Sequence, residues 1–111
     1  MLFSMVDDRF GVEITRDDDR KRTIALSGEI DLASAPAVWD ALAPALEDAD
    51  CVVVDLSNVR FIDSTGLSVL VRAHRRLTNN GGTLVVQSPS EMAGRVLRIT
   101  GLDSVFGLTE P

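Results

Sequence analysis

Asp63, Ser64, Thr65 and Gly66 are the residues of this sequence whose types and spacing best suit chemistry. They follow the apolar run Cys51-Val-Val-Val-Asp-Leu56 and precede a segment in which Leu67, Leu70, Val71, His74 and Leu77 recur at helical spacing. Ser64 therefore stands where a helix begins. The first backbone N–H groups of a helix have no acceptor within it, and the helix dipole turns its positive end toward them. Such an end favours an anion, so a phosphate on Ser64 would meet a compatible field. Capping of the helix by Asp63 or Ser64 uses the same residue types and is the plainer reading of the local pattern. Gly66 either permits close packing or supplies an unusual dihedral.

Other chemistry fails on its own requirements. The sequence has no Gly-x-x-x-x-Gly-Lys phosphate loop, no Gly-x-Gly-x-x-Gly turn and no Gly-x-Ser-x-Gly elbow. A structural zinc site takes about four Cys or His ligands, and Cys51 and His74 are the only two residues of those types. His74 falls within the apolar stripe of its helix and reads as packing, which leaves a Ser-His-Asp triad without its base. The Asp63-Ser64-Thr65-Gly66 run is superficially like one loop of an aspartic protease, but that chemistry needs two carboxylate loops sharing a proton. Asp17-Asp18-Asp19 reads as a solvated turn, because the spacing and closing Glu of a calcium loop are missing. No catalytic group, cofactor or metal is expected.

The elements that must hold these residues follow from periodicity. Phe10–Thr15 and Thr23–Ser27 alternate and flank a polar connection, so they should pair antiparallel, the second stopping at Gly28. Ser34 suits a helix N-cap and Pro36 the first turn of a helix carrying Val38, Leu42, Ala45, Leu46 and Ala49. Pro44 inside it should kink or shorten it. Cys51–Leu56 is apolar without alternation, as in a parallel strand covered on both faces. Asn79-Asn80-Gly81-Gly82 ends the second helix, and Thr83–Gln87 is the next strand. Ser88-Pro89-Ser90-Glu91 forms a capping box before a third helix with Met92, Val96 and Ile99 as its buried stripe. Gly101 stops that helix, and Leu102–Leu108 supplies a last short strand. The resulting ββαβαβαβ order predicts an α/β fold: a mostly parallel central sheet, one antiparallel N-terminal hairpin, and helices packed on it.

Composition sets the wider limits. The chain of 111 residues suits one domain over 1–111, with its core at about 10–108. Its net charge of −6 argues against nucleic acid as the main partner, since each phosphate contact needs a cation. No stretch approaches the length of a membrane helix, so no direct membrane insertion is expected, and the apolar start Met1–Val6 lacks the flanks of a secretory signal. The single cysteine, Cys51, suits a reducing compartment such as the cytoplasm. Cys51 itself reads as inert core, and Trp39, at the edge of the first helix's apolar stripe, reads as packing.

Asp63-Ser64-Thr65-Gly66-Leu67, preceded by Asp55-Leu56-Ser57 and Val59, resembles the signature of the STAS domain, the sulfate transporter and anti-sigma factor antagonist family. Gly28-Glu29-Ile30-Asp31 is similar to that family's Gly-Glu-Leu/Ile-Asp turn, and Gly81-Gly82, Ser88-Pro89 and Gly101-Leu102 fall where the family has comparable turns. The resemblance covers residues 11–108. It implies the STAS fold and an anti-sigma factor antagonist that is a substrate rather than an enzyme. In such antagonists the Ser or Thr directly after the motif's Asp is phosphorylated, which here is Ser64, with Thr65 the less favoured neighbour. The implied partner is an anti-sigma factor serine kinase with a histidine-kinase-like ATPase fold. The unphosphorylated antagonist binds it and frees the sigma factor, phosphorylation breaks the complex, and a metal-dependent serine phosphatase resets it. The runner-up is a non-switching STAS subunit docking a transporter complex.

Around Ser64, Asp31, Asp55 and Asp63 are expected at one end of the sheet, where a phosphate would face like charges. Asp31 either orients the Ser64 loop or caps its own turn. Asp55 is expected to be partly buried and satisfied by loop amides. Leu67, Ser68 and Arg72 are expected to project from the second helix near the site as partner contacts, with an ordinary solvated charge the plainer reading of Arg72.

Overall fold

The computed structural model describes residues 2–108. Among them, alternating apolar segments form five strands: β1 (Leu2–Val6), β2 (Phe10–Arg16), β3 (Lys21–Ile30), β4 (Cys51–Ile62) and β5 (Thr83–Gln87). Helical spacing gives α1 (Ala35–Glu47), α2 (Ser64–Asn79), α3 (Glu91–Thr100) and the single turn α4 (Leu102–Val105). The strands lie side by side in chain order, antiparallel from β1 to β3 and parallel from β3 to β5. Asp18 makes the β2–β3 hairpin: its Oδ1 accepts the N–H groups of Arg20 (2.7 Å) and Lys21 (2.9 Å), a turn that needs no cation. The parallel pairings are reached through α1 and α2, as crossovers require.

The core lies on one face of the sheet. Ile24, Leu26, Val52, Val54, Leu56, Leu84 and Val86 point into it and meet Val38, Leu42 and Leu46 of α1 and Leu70, Ala73 and Leu77 of α2. The intervening Thr23, Ala25, Cys51, Val53 and Asp55 are only partly covered. The run Cys51–Leu56 is therefore buried on one face and half-open on the other, not covered on both. A mixed sheet with antiparallel strands tolerates such an open face.

The α/β class stands, but both ends of the expected order change. The opening apolar residues form β1, an edge strand with Leu2 opposite Thr15 and Val6 opposite Gly11. No strand forms over Leu102–Leu108. Leu102 and Phe106 sit four apart, a helical interval, and both turn inward, Phe106 with none of its surface exposed. The Phe106 carbonyl accepts the Val86 N–H at 3.0 Å, so this segment still satisfies the β5 edge. The order is βββαβαβαα, and antiparallel and parallel pairings are equal in number rather than mostly parallel.

Within elements, α1 runs through Pro44 to Glu47, so the proline does not shorten it. Ser90, not Ser88, caps α3, its hydroxyl accepting the Ala93 N–H at 3.1 Å. That phase buries Ala93, Gly94 and Leu97 and leaves Met92 and Val96 half-buried and Ile99 exposed. His74 packs edge-on against Phe106 with ring centroids 5.7 Å apart, as its place in the stripe predicts.

Candidate functional site

Ser64 is the first residue of α2, and its geometry is set by the residue before it. Asp63 is extended, and its Oδ1 accepts the Gly66 N–H at 2.9 Å, so Asp63 rather than Ser64 is the cap. Its Oδ2 accepts the Leu32 N–H at 3.2 Å, and its own N–H donates to the Ile30 carbonyl at 3.3 Å. One aspartate thus joins the ends of β3 and β4 to the start of α2. Gly66 is a close-approach residue: a Cβ there would lie 2.3 Å from the Ile30 carbonyl oxygen and 2.8 Å from Ile62 Cγ1. The Ser64 side chain is exposed, while its carbonyl accepts the Ser68 hydroxyl at 2.9 Å. Thr65 is half-buried against α1.

Asp31 organises the adjoining turn. Its Oδ1 accepts the N–H groups of Ala33 (3.0 Å) and Ser34 (3.1 Å), and so it caps its own turn. Ser34 stands at the N-cap position of α1 as expected, but its side chain makes no hydrogen bond into the helix. Its hydroxyl donates to the Glu29 carbonyl at 2.8 Å and accepts the Asp31 N–H at 2.9 Å. Burial alone would raise the Asp31 pKa. The Ser34 hydrogen bonds and the Arg9 charge outweigh it, holding the carboxyl below the usual range.

Arg9 is the site residue that sequence reasoning missed. It pairs with Asp31 and, at 3.1 Å, with Glu29, which also faces Arg60 at 3.9 Å. The signal lay in Gly28. Gly28 has φ +78° and would carry a Cβ 2.1 Å from the Arg9 carbonyl oxygen. The Glu29 N–H donates to that same carbonyl at 2.8 Å, so the strand beside the Gly-Glu-Ile-Asp turn must bring Arg9 onto it.

The other expected residues divide. Asp55 is not at this end. It pairs with Ala25 and Gln87, whereas Ile62 pairs with Ile30. Five residues of β3 separate those levels, roughly 16 Å at ~3.3 Å per residue. β4 runs on past Leu56 through an irregularity, Ala25 opposite Asp55 and then Ser27 opposite Asn58, which carries the Ser64 end away from Asp55. The Asp55 Oδ1 accepts the Ser57 N–H at 2.8 Å. Leu67 is buried in the core rather than projecting. Ser68 and Arg72 are exposed as expected, and the Arg72 guanidinium lies 3.9 Å over the ring of Trp39, which is half-buried against the core. Among the described residues no cluster of His, Cys, Asp or Glu is placed to hold a metal ion. No described helix is long and apolar enough to cross a membrane.

The family model described as "Mlab, STAS domain" matches residues 14–110. The chain belongs to the STAS domain family. This STAS chain is 34% identical over 86 residues to the anti-sigma-B factor antagonist of Bacillus subtilis, covering 78% of this chain and 79% of that protein. Among solved structures, the anti-sigma factor antagonist from Mycobacterium paratuberculosis superposes with TM-score 0.73 at 32% identity, covering 91% of this chain and 86% of that one. Unphosphorylated SpoIIAA, an anti-sigma factor antagonist, superposes with TM-score 0.72 over 89% of this chain and 99% of that one. Its 18% identity speaks for the fold alone.

Proposed function

We propose that this STAS chain is an anti-sigma factor antagonist, acting as a substrate and not as an enzyme, and that Ser64 is its switch. The observation that carries the reading is an exposed hydroxyl at the first residue of α2, beside a capping aspartate whose two oxygens both accept backbone N–H groups. The names of its relatives supply the partner class. In the unphosphorylated state the α2 end docks on an anti-sigma factor with serine kinase activity and a histidine-kinase-like ATPase fold, in the cytoplasm. A phosphoserine adds about −1.5 to −2 charges near neutral pH. Placed at Ser64, close in sequence to Asp63 and on the same end as Asp31, that charge faces both carboxylates and the partner's nucleotide phosphates. Like charges at an interface cost several kcal/mol, and about 1.4 kcal/mol is tenfold in affinity, so release follows without refolding. A metal-dependent serine phosphatase then restores the binding form.

The test is affinity capture from the native host's lysate with ADP and ATP present, using wild type, Ser64→Ala and Ser64→Glu as baits. Wild type and Ser64→Ala are expected to retain a serine-kinase-like ATPase that Ser64→Glu loses. Equal retention of one membrane transporter component by all three baits would overturn the switch.

A further inference from the structure

Beyond Asp63 and Asp31 at its N-terminal end, α2 carries a charge opposite to that of the protein. The chain carries −6 overall, yet α2 holds Arg72, Arg75 and Arg76 and no acid. Arg76 pairs with Glu47 at 3.8 Å, and Arg9, Arg16, Arg20, Arg60 and Arg95 also have acidic partners. Arg72 and Arg75 have none among the described residues; Lys21, Arg22 and Arg98 have none either, but they lie elsewhere, on β3 and α3. Both are exposed, and Arg72 is braced by the Trp39 ring. Both line a groove of about 510 Å³ that starts at Ser64 and runs along α2 past Leu67 and Val71, with Leu102 of α4 on its wall. Its length from Ser64 to Arg75 is roughly 16 Å at ~1.5 Å per residue.

We infer that this α2–α4 groove docks an acidic amphipathic helix of the partner. Apolar residues on one face of that helix enter between Val71 and Leu102, above the small part of Leu67 that the core leaves uncovered, and its flanking carboxylates meet Arg72 and Arg75, the helix-in-groove mode of recognition. An anionic membrane fits less well. Polybasic lipid sites gather about 4–8 cations, and a chain of net −6 is repelled by such a surface. The inference rests on the proposed switch for its regulatory meaning: a phosphate on Ser64 puts like charge at the mouth of a groove built for an acidic occupant.

The probe is a synthetic helix-forming peptide of about four turns, with leucines on one face and glutamates on its flanks. Its all-lysine counterpart and phosphatidylglycerol vesicles are the comparison ligands. Titrated into the isotope-labelled full chain, the glutamate peptide is expected to move the amide resonances of Leu67, Val71, Arg72, Arg75 and Leu102, and the lysine peptide to move none. The Arg72→Glu, Arg75→Glu double variant should bind at least about tenfold more weakly, a loss of about 1.4 kcal/mol. Lys21→Glu, at the far end of β3, should bind as wild type does. Equal binding of both peptides, binding of neither, shifts centred elsewhere, or arginine-dependent binding of the vesicles in place of the peptide would each overturn the inference. The titration needs no kinase, nucleotide or modified serine. Failure here with capture of the kinase retained refutes the acidic helix alone, and the reverse result refutes the switch alone.

Discussion

Gly66→Ala and Gly94→Ala are the same change in two helices, and the structure gives them opposite signs. At Gly66 the new methyl would lie 2.3 Å from the Ile30 carbonyl oxygen and 2.8 Å from Ile62 Cγ1. The oxygen is main chain and cannot swing aside, so the upper part of the ~1–3 kcal/mol range for overpacking applies. Alanine returns ~1 kcal/mol through helix propensity. The net is a destabilisation of about 2 kcal/mol, or a fall in Tm of about 10 °C for a domain near this size. At Gly94 the nearest atoms are Arg98 Nη1, at 3.3 Å, and Pro89 Cγ, at 3.5 Å. The arginine end can move, so the propensity gain survives, and the variant should match wild type or exceed it by up to ~1 kcal/mol. Urea unfolding and scanning calorimetry of the three proteins measure both. A Gly66→Ala protein as stable as wild type would refute the claim that α2 is pressed against the end of β3.

Asp63→Ala removes an N-cap and the tie to Leu32, and should lower stability by about 1–2 kcal/mol in urea unfolding. The folded pKa of Asp31 lies below its ordinary value of 3.8, so its contribution is whole above that value and is lost as pH falls through the folded pKa. The stability difference between wild type and Asp31→Asn should therefore shrink below about pH 3.8 in acid unfolding curves. Arg9→Gln removes a charge that lowers the Asp31 pKa, so carboxyl NMR titration should find Asp31 moved up toward the usual range.

Strands β2 to β5, the first three helices and the start of α2 at Ser64 were legible because each rests on a local signal: alternation, an apolar run, apolar spacing at helical period, or an Asp in front of a helical run; the edge strand β1 was not. What misled was information held by partners far along the chain. Asp55 looked close to Ser64 because nothing local shows that β4 continues to Ile62. The α3 stripe was set one position out, because Ser90 rather than Ser88 caps the helix, and Ser90 is chosen by its hydroxyl donating to the Val59 carbonyl at 2.7 Å. Arg9 was missed for the same reason: its ion pairs cross a hairpin and join residues 20 and 22 positions away, and Gly28 marks the approach without naming the partner. Leu102–Leu108 has strand-like composition, and only the burial of Phe106 beside His74 selects the helical turn.

Trp39 is the chain's one tryptophan, and it has no tyrosine. Its indole lies under the Arg72 guanidinium and lines the cleft shared with Thr65 and Leu32. Near-ultraviolet emission from the unlabelled protein therefore comes from one fluorophore, stationed beside the surface where a partner would arrive. Quenching or a spectral shift on mixing with a ligand that lacks tryptophan and tyrosine would report local events there in real time, with no dye attached to disturb the helices.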